Sequence, residues 1–261
     1  MIYLADSNWC PLDRNPFCDN GLYGVAWSAF IYDREIPYYT NNYPDAKLHT
    51  VRFSPDADNA NLRLFDFLSY EESYGRNVIL KICAGIDAEK LLQKYAAFSH
   101  DVIFRDTDEK YMVHSTTLEN WEKIQKDKAL LSPNMLKSKG VKMLEIGLAQ
   151  MLEPADYSDY VMLDVPNGCG ELVVNSRQLG YVCLDPEIEY EAGVRLYFDT
   201  RKMIENIIVK RDGLHLLKVK DRLPLQDYLV AAISADNFPK DIKWTPTKFT
   251  EEANQLFHTK E

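Results

Sequence analysis

Tyr111-Met112-Val113-His114-Ser115-Thr116-Thr117-Leu118-Glu119-Asn120-Trp121 is the stretch that decides how this chain is read. Tyr111 to Val113 is apolar and reads as a strand. Thr117 is a helix N-cap residue type, and Leu118 to Lys128 carries Trp121 and Ile124 at i, i+3 spacing on one face. A strand therefore delivers His114, Ser115 and Thr116 to the point where a helix begins. Polar side chains and free backbone N–H groups can meet a ligand at such a join. A capped helix beside a hydrogen-bonded histidine produces the same residues with no ligand, and both readings stay open at this point.

The 261 residues are enough for one large domain or two small ones. Residues 1–104 read as an aromatic, loop-rich α/β region, with Pro11, Pro16 and Pro55 spaced among Trp9, Phe17, Tyr23, Trp27 and Phe30. Within it, Asn61 to Tyr70 reads as helix and Asn77 to Cys83 as a buried strand. Asp87 caps a helix over Ala88 to Tyr95. Residues 105–235 follow as a second unit. Short strands are expected at Val102 to Phe104, Tyr160 to Leu163, Glu171 to Val174, Val194 to Phe198, Ile207 to Val209 and Leu214 to Val219. Asp212-Gly213 is expected as a tight hairpin turn, Pro133 as the end of a turn, and Val141 to Met151 as helix. Residues 236–261 read as a C-terminal tail ending in a short helix, Thr250 to His258. The class this predicts is α+β.

Composition removes several classes of function. Forty acidic against 30 basic residues give a formal charge of −10, so a chain-wide basic footprint for nucleic acid is absent, although the total leaves room for a local basic strip. The first residues show no basic stretch followed by an apolar run, and no apolar run reaches the roughly 18 residues of a membrane span. No membrane partner is expected. Five cysteines without a CxxC pair predict reduced thiols and a cytoplasmic protein. The five histidines are scattered without ligand spacing, so no metal site is expected. The phosphate-binding patterns GxxxxGK[ST] and GxGxxG do not occur, nor does the nucleophile-elbow pattern GxSxG.

The segment from His114 to Leu130 resembles the first motif of the ADP-ribosyltransferase superfamily, which includes poly(ADP-ribose) polymerases and RNA 2′-phosphotransferases. His114, Ser115 and Thr116 stand where that family ends a strand in His-Gly-Ser or His-Gly-Thr. Asn120, Trp121 and Ile124 fit the helix, and Ala129-Leu130 stands at the usual Gly-Leu turn. Gly193 to Phe198, Asp212 to Val219 and Leu223 to Leu229 are similar to the closing strands of an RNA 2′-phosphotransferase. The resemblance covers nearly half of the chain. It implies a split β-sheet core with flanking helices over residues 105–235, NAD as substrate, and transfer of ADP-ribose to a protein or nucleic-acid acceptor.

Cleavage of a nicotinamide–ribose bond creates an oxocarbenium-like sugar, which calls for hydroxyl-holding groups, stacking rings and a fixed carboxylate. The resemblance implies that His114, Ser115 and Thr116 hold the cofactor and that Tyr157 and Tyr160 stack on nicotinamide. Glu171, expected at the head of an apolar strand, ranks first as catalytic carboxylate with His114, ahead of Glu189 and Asp212. Two alternatives remain: a binding or regulatory protein that keeps this fold without turnover, and an RNA 2′-phosphotransferase-like activity.

Overall fold

The structure is a computed structural model and describes residues 1–36, 39–41, 47–144, 146, 152–206 and 208–260. It is mixed α+β with several small sheets, and the chain divides into two units. The first is built mainly from Met1–Asp101 with Arg211–Leu214; the second comprises Val102–Ile146, Ala155–Lys210 and His215–Glu261.

In the first unit, strands β1 (Ile2–Ala5), β2 (Trp27–Tyr32), β3 (Tyr39–Asn41), β4 (His49–Phe53) and β5 (Asn77–Lys81) form one sheet in the order β1-β5-β2-β4-β3. Every pairing is parallel except β3 with β4. The aromatic residues that give this region its loop-rich look fill both faces of the sheet. Phe30 packs on Phe67 of helix α1 (Ala60–Ser73), while Trp9, Tyr23, Ile31 and Ile79 cluster together elsewhere in the unit. The Asp87 side chain accepts from Lys90 N at 3.0 Å and so caps helix α2 (Ala88–Ala96), as its position predicts.

In the second unit, β6 (Tyr111–Thr116) leads directly into α3 (Leu118–Asp127). The Thr117 hydroxyl caps that helix by accepting from Asn120 N at 3.2 Å, which satisfies one of the amides a helix start leaves without a partner. There follow β7 (Ala129–Leu131), α4 (Pro133–Ser138), a 3-10 turn (Ala155–Asp159), β8 (Tyr160–Leu163), α5 (Gly170–Leu179) and β9 (Val194–Asp199). The remainder is α6 (Thr200–Glu205), β10 (Val209–Lys210), β11 (Leu217–Lys220), β12 (Arg222–Pro224), α7 (Leu225–Tyr228), β13 (Leu229–Ser234) and α8 (Pro246–Lys260). The strands form antiparallel sheets in the orders β13-β9-β6, β10-β11-β8 and β12-β7. A single bridge joins the edges of the first two, where Val113 and Asp164 exchange backbone hydrogen bonds of 2.7 and 2.8 Å.

Several expectations are corrected. Glu171 to Val174 is the start of a helix, not a strand. The run Leu172-Val173-Val174 is apolar in either geometry. Gly180, at φ +83°, supplies a left-handed helix stop after Leu179. Val102 to Phe104 is irregular. Asp212-Gly213 is not a tight hairpin; β10 and β11 pair across a connection spanning 211–216, and β11 begins at Leu217 rather than Leu214. Pro133 opens a helix, with Ser132 as its cap, rather than ending a turn. Trp121 and Ile124 pack against the core from one face of α3, as their spacing predicts, and are half-buried there. Of the helix expected over Val141 to Met151, residues 145 and 147–151 lie outside the described residues, as does Ile207, and Val141 to Leu144 is irregular.

The C-terminal segment is not a tail appended to the unit. Phe249, Ala253 and Phe257 recur at helical spacing on α8 and are almost wholly buried. The Phe257 ring stacks on Tyr197 of β9 at 4.1 Å. The helix extends four residues before and two beyond the expected Thr250 to His258.

Candidate functional site

Side chains alternate along a strand, so the residues of β6 divide between two faces. Met112 faces one core cluster and Val113 another. His114 shares the Met112 side, while Ser115 shares the side of Val113, Arg195 and Tyr197. The three residues expected to hold one cofactor are thus presented in two directions.

His114 lies half-buried beside the bridge between the sheets, with Nδ1 3.1 Å from the Met162 carbonyl of β8. A carbonyl only accepts, so the ring proton sits on Nδ1 and Nε2 carries an acceptor lone pair. Desolvation pushes the pKa down to about 4; the Met162 bond works the other way, and the Arg177 charge adds to the depression. The ring is therefore neutral at physiological pH. Thr116 is buried, and its carbonyl oxygen would lie 1.9 Å from a Cβ placed on Gly193, so only glycine permits that approach.

On the opposite face a buried polar network forms around Glu171 and Arg195, each 1% exposed. The Ser115 hydroxyl donates to Glu171 Oε1 at 2.5 Å, Arg195 Nη1 donates to the same oxygen at 3.0 Å, and the Tyr190 hydroxyl donates to Oε2 at 2.7 Å. Arg195 Nη2 reaches the Pro166 carbonyl at 2.6 Å. The α8 residue Asn254 donates to that carbonyl at 2.9 Å and accepts from Tyr197 at 2.8 Å. Burial works against the Arg195 charge, but Glu171 and Tyr197 together outweigh it and the arginine pKa is raised; burial and the Glu171 charge both push the Tyr190 hydroxyl up. Gly170 allows the contact, because a Cβ there would stand 2.9 Å from Ser115 Oγ.

Tyr157 and Tyr160 are both buried. Their rings hold the ammonium of Lys218, 3.9 and 4.7 Å from the two centroids. This arrangement makes cation–π contacts with a fully buried lysine. The other carboxylates lie elsewhere. Glu189 is exposed and pairs with Lys243 at 3.2 Å, and Glu187 accepts from Thr245. Asp212 is buried among the residues of the first unit, where its own turn's Leu214 N donates to it at 3.0 Å.

The structure thus brings Ser115 and Glu171 together, and sets His114, the tyrosine pair and Asp212 apart from them. Arg195, Tyr190, Asn254 and Lys218 stand outside the expected set. Two of them carry a signal in the sequence: a single basic residue inside an apolar strand, Val194-Arg195-Leu196 or Leu217-Lys218-Val219, must find a partner if the strand is buried. Among the described residues, no group of three or more His, Cys, Asp or Glu side chains is placed to hold a metal ion. No helix among them is long and apolar enough to cross a membrane. No protein-family model matches the chain, and no curated protein or solved structure matches it significantly.

Proposed function

We propose that the second unit is an ADP-ribosyltransferase-like module that binds NAD beside the bridge joining β6 and β8, and that it serves as a binding or regulatory protein in which Glu171 holds the scaffold. One observation carries the NAD reading. His114 is fixed by the Met162 carbonyl in the tautomer that leaves Nε2 free to accept a hydrogen bond, which is what holding a ribose hydroxyl requires. The regulatory part rests on Glu171, whose two oxygens are engaged by Ser115, Arg195 and Tyr190 and are shut away from solvent. A carboxylate so engaged cannot approach a developing ribose cation without breaking a buried ion pair. Tyr157 and Tyr160 do not fit as stacking rings, since both are buried against Lys218.

ADP-ribosyl transfer to a protein or nucleic acid is the second reading. Its support is the chain connection alone: Ser115, which holds Glu171, directly follows His114 on β6, while the two side chains leave the strand on opposite faces. Thermal unfolding with and without NAD, together with an assay for released nicotinamide, separates the readings. A ligand at 100 times its Kd stabilises the native state by about 2.7 kcal/mol. The expected result is stabilisation by NAD that His114→Ala removes, with no nicotinamide released. Release that Glu171→Gln abolishes would replace the regulatory reading with transfer. No stabilisation at all would remove NAD as the ligand.

A further inference from the structure

From the start of α3 to Lys142 the chain holds six lysines (Lys123, Lys126, Lys128, Lys137, Lys139 and Lys142) and three carboxylates, Glu119, Glu122 and Asp127, with Glu119 paired to Lys123. Six positive charges less three give this segment a local +3 in a chain whose formal charge is −10, so the remainder carries −13. At physiological ionic strength charges are screened over about 8 Å. This local excess is therefore what an approaching polyanion meets.

The fold turns that excess into a surface. The six lysines run along α3, the turn after it, α4 and the turn that follows, and all six are exposed. Asp127 gathers cations instead of offsetting a distant one: its carboxylate takes Lys139 Nζ at 2.9 Å, and its carbonyl accepts from Arg222 Nη2 at 3.3 Å. Arg222 comes from β12, which pairs with β7 and is thereby carried to the end of α3. Lys126, Lys128 and Lys142 have no carboxylate partner among the described residues. The opposite side of α3, with Trp121 and Ile124, packs against the core and offers no apolar face to a lipid.

We propose that this strip, Lys126, Lys128, Lys139 and Lys142 with Arg222, binds the phosphate backbone of a nucleic acid. Flexible cationic groups gathered at the end of α3 from several elements suit a chain of phosphates and carry no base specificity. Lysine contacts of this kind hold the backbone in register while sequence is read elsewhere or not at all. Of these residues only Lys126 lies on α3, in its last turn; Lys128 caps that helix end, and Asp127 brings Lys139 and Arg222 to the same place. The proposal does not depend on NAD, and its test contains none.

The test is fluorescence anisotropy of the full chain with a labelled 20-nucleotide single-stranded RNA and a 20-base-pair DNA duplex, titrated at several salt concentrations. Four phosphate contacts, from Lys126, Lys128, Lys142 and Arg222, with Lys139 already paired to Asp127, predict a slope of log K against log salt of about −3 for the single strand. The triple variant Lys126→Glu, Lys128→Glu, Lys142→Glu should weaken binding by tenfold or more and flatten the slope. The control variant Lys202→Glu, Lys240→Glu, exposed on the same unit, should bind as wild type. Absence of binding to either probe at low salt overturns the proposal, as does equal weakening in the control or no weakening in the triple variant. Exposed Val141 and Leu144 flank Lys142, so phosphatidylserine vesicles are tested in parallel. Vesicle binding without nucleic-acid binding would assign the strip to a membrane surface and overturn the proposal.

Discussion

The guanidinium of Arg195 lies 3.0 Å from the carboxylate of Glu171, and both side chains are almost completely removed from water. They come from a strand and from the first turn of a helix, 24 residues apart in the chain. Two bare charges at such depth would be prohibitive, each costing several kcal/mol to desolvate. Here the ions are paired, and Ser115, Tyr190, Pro166 and Tyr197 engage their remaining atoms. The pair therefore couples β6, β9, α5 and, through Asn254, α8 into one arrangement.

Removing either partner should be costly and removing both less so. Glu171→Ala or Arg195→Ala is expected to lower unfolding stability by about 3–5 kcal/mol, because each strands a buried charge. The double variant should lose clearly less than the sum, and urea unfolding of the four proteins measures the coupling. Additive losses would mean that the ion pair is not what holds these elements together.

His114 makes stability depend on pH. Its pKa is near 6.5 in an unfolded chain and is held down to about 4 in the fold. Between those values the unfolded chain takes up a proton that the native protein refuses, so stability present at neutral pH is lost as pH falls from 6.5 towards 4. The slope from this group is at most about 1.4 kcal/mol per pH unit. His114→Gln keeps an N–H for the Met162 carbonyl and removes the titration, so its unfolding free energy should fall less between pH 7 and pH 5. Parallel pH profiles for the two proteins would show that the ring is not desolvated.

Gly193 and Gly140 separate two reasons for glycine. A Cβ at Gly193 would stand 1.9 Å from the Thr116 carbonyl oxygen, a backbone atom that cannot move aside without shifting β6. Gly193→Ala is expected to cost about 3 kcal/mol or more, the upper end of overpacking effects. Gly140 has φ +80° with nothing within 4 Å. Gly140→Ala therefore carries only the left-handed backbone penalty of about 1–2 kcal/mol. Calorimetric Tm values rank the two.

The C-terminal helix should behave as core. The Phe257 ring is buried and stacked on Tyr197. Its replacement by alanine is expected to lose about 3–5 kcal/mol. Gln255 is exposed on the same helix. A surface substitution of this kind, Gln255→Ala, should change stability by less than about 0.5 kcal/mol. Comparable values for the two would mean that α8 does not dock as described.

Sequence alone determined the features whose causes lie within a few residues. Thr117 and Asp87 cap their helices because an N-cap hydroxyl or carboxylate acts on an amide three positions on. The strand from Tyr111 runs into α3 because alternation and helical spacing are local patterns. Tertiary structure decided the rest. Leu172-Val173-Val174 is apolar enough for strand or helix, and a local reading sets Glu171 on the wrong element for that reason. Which face of β6 each of His114 and Ser115 would serve depended on the register with β9. Glu171 meets Ser115 across 56 residues and Arg195 across 24, and Asn254 reaches Pro166 across 88. A buried charge announces that it needs a partner, but which partner is set by long-range packing, and no local propensity encodes that choice.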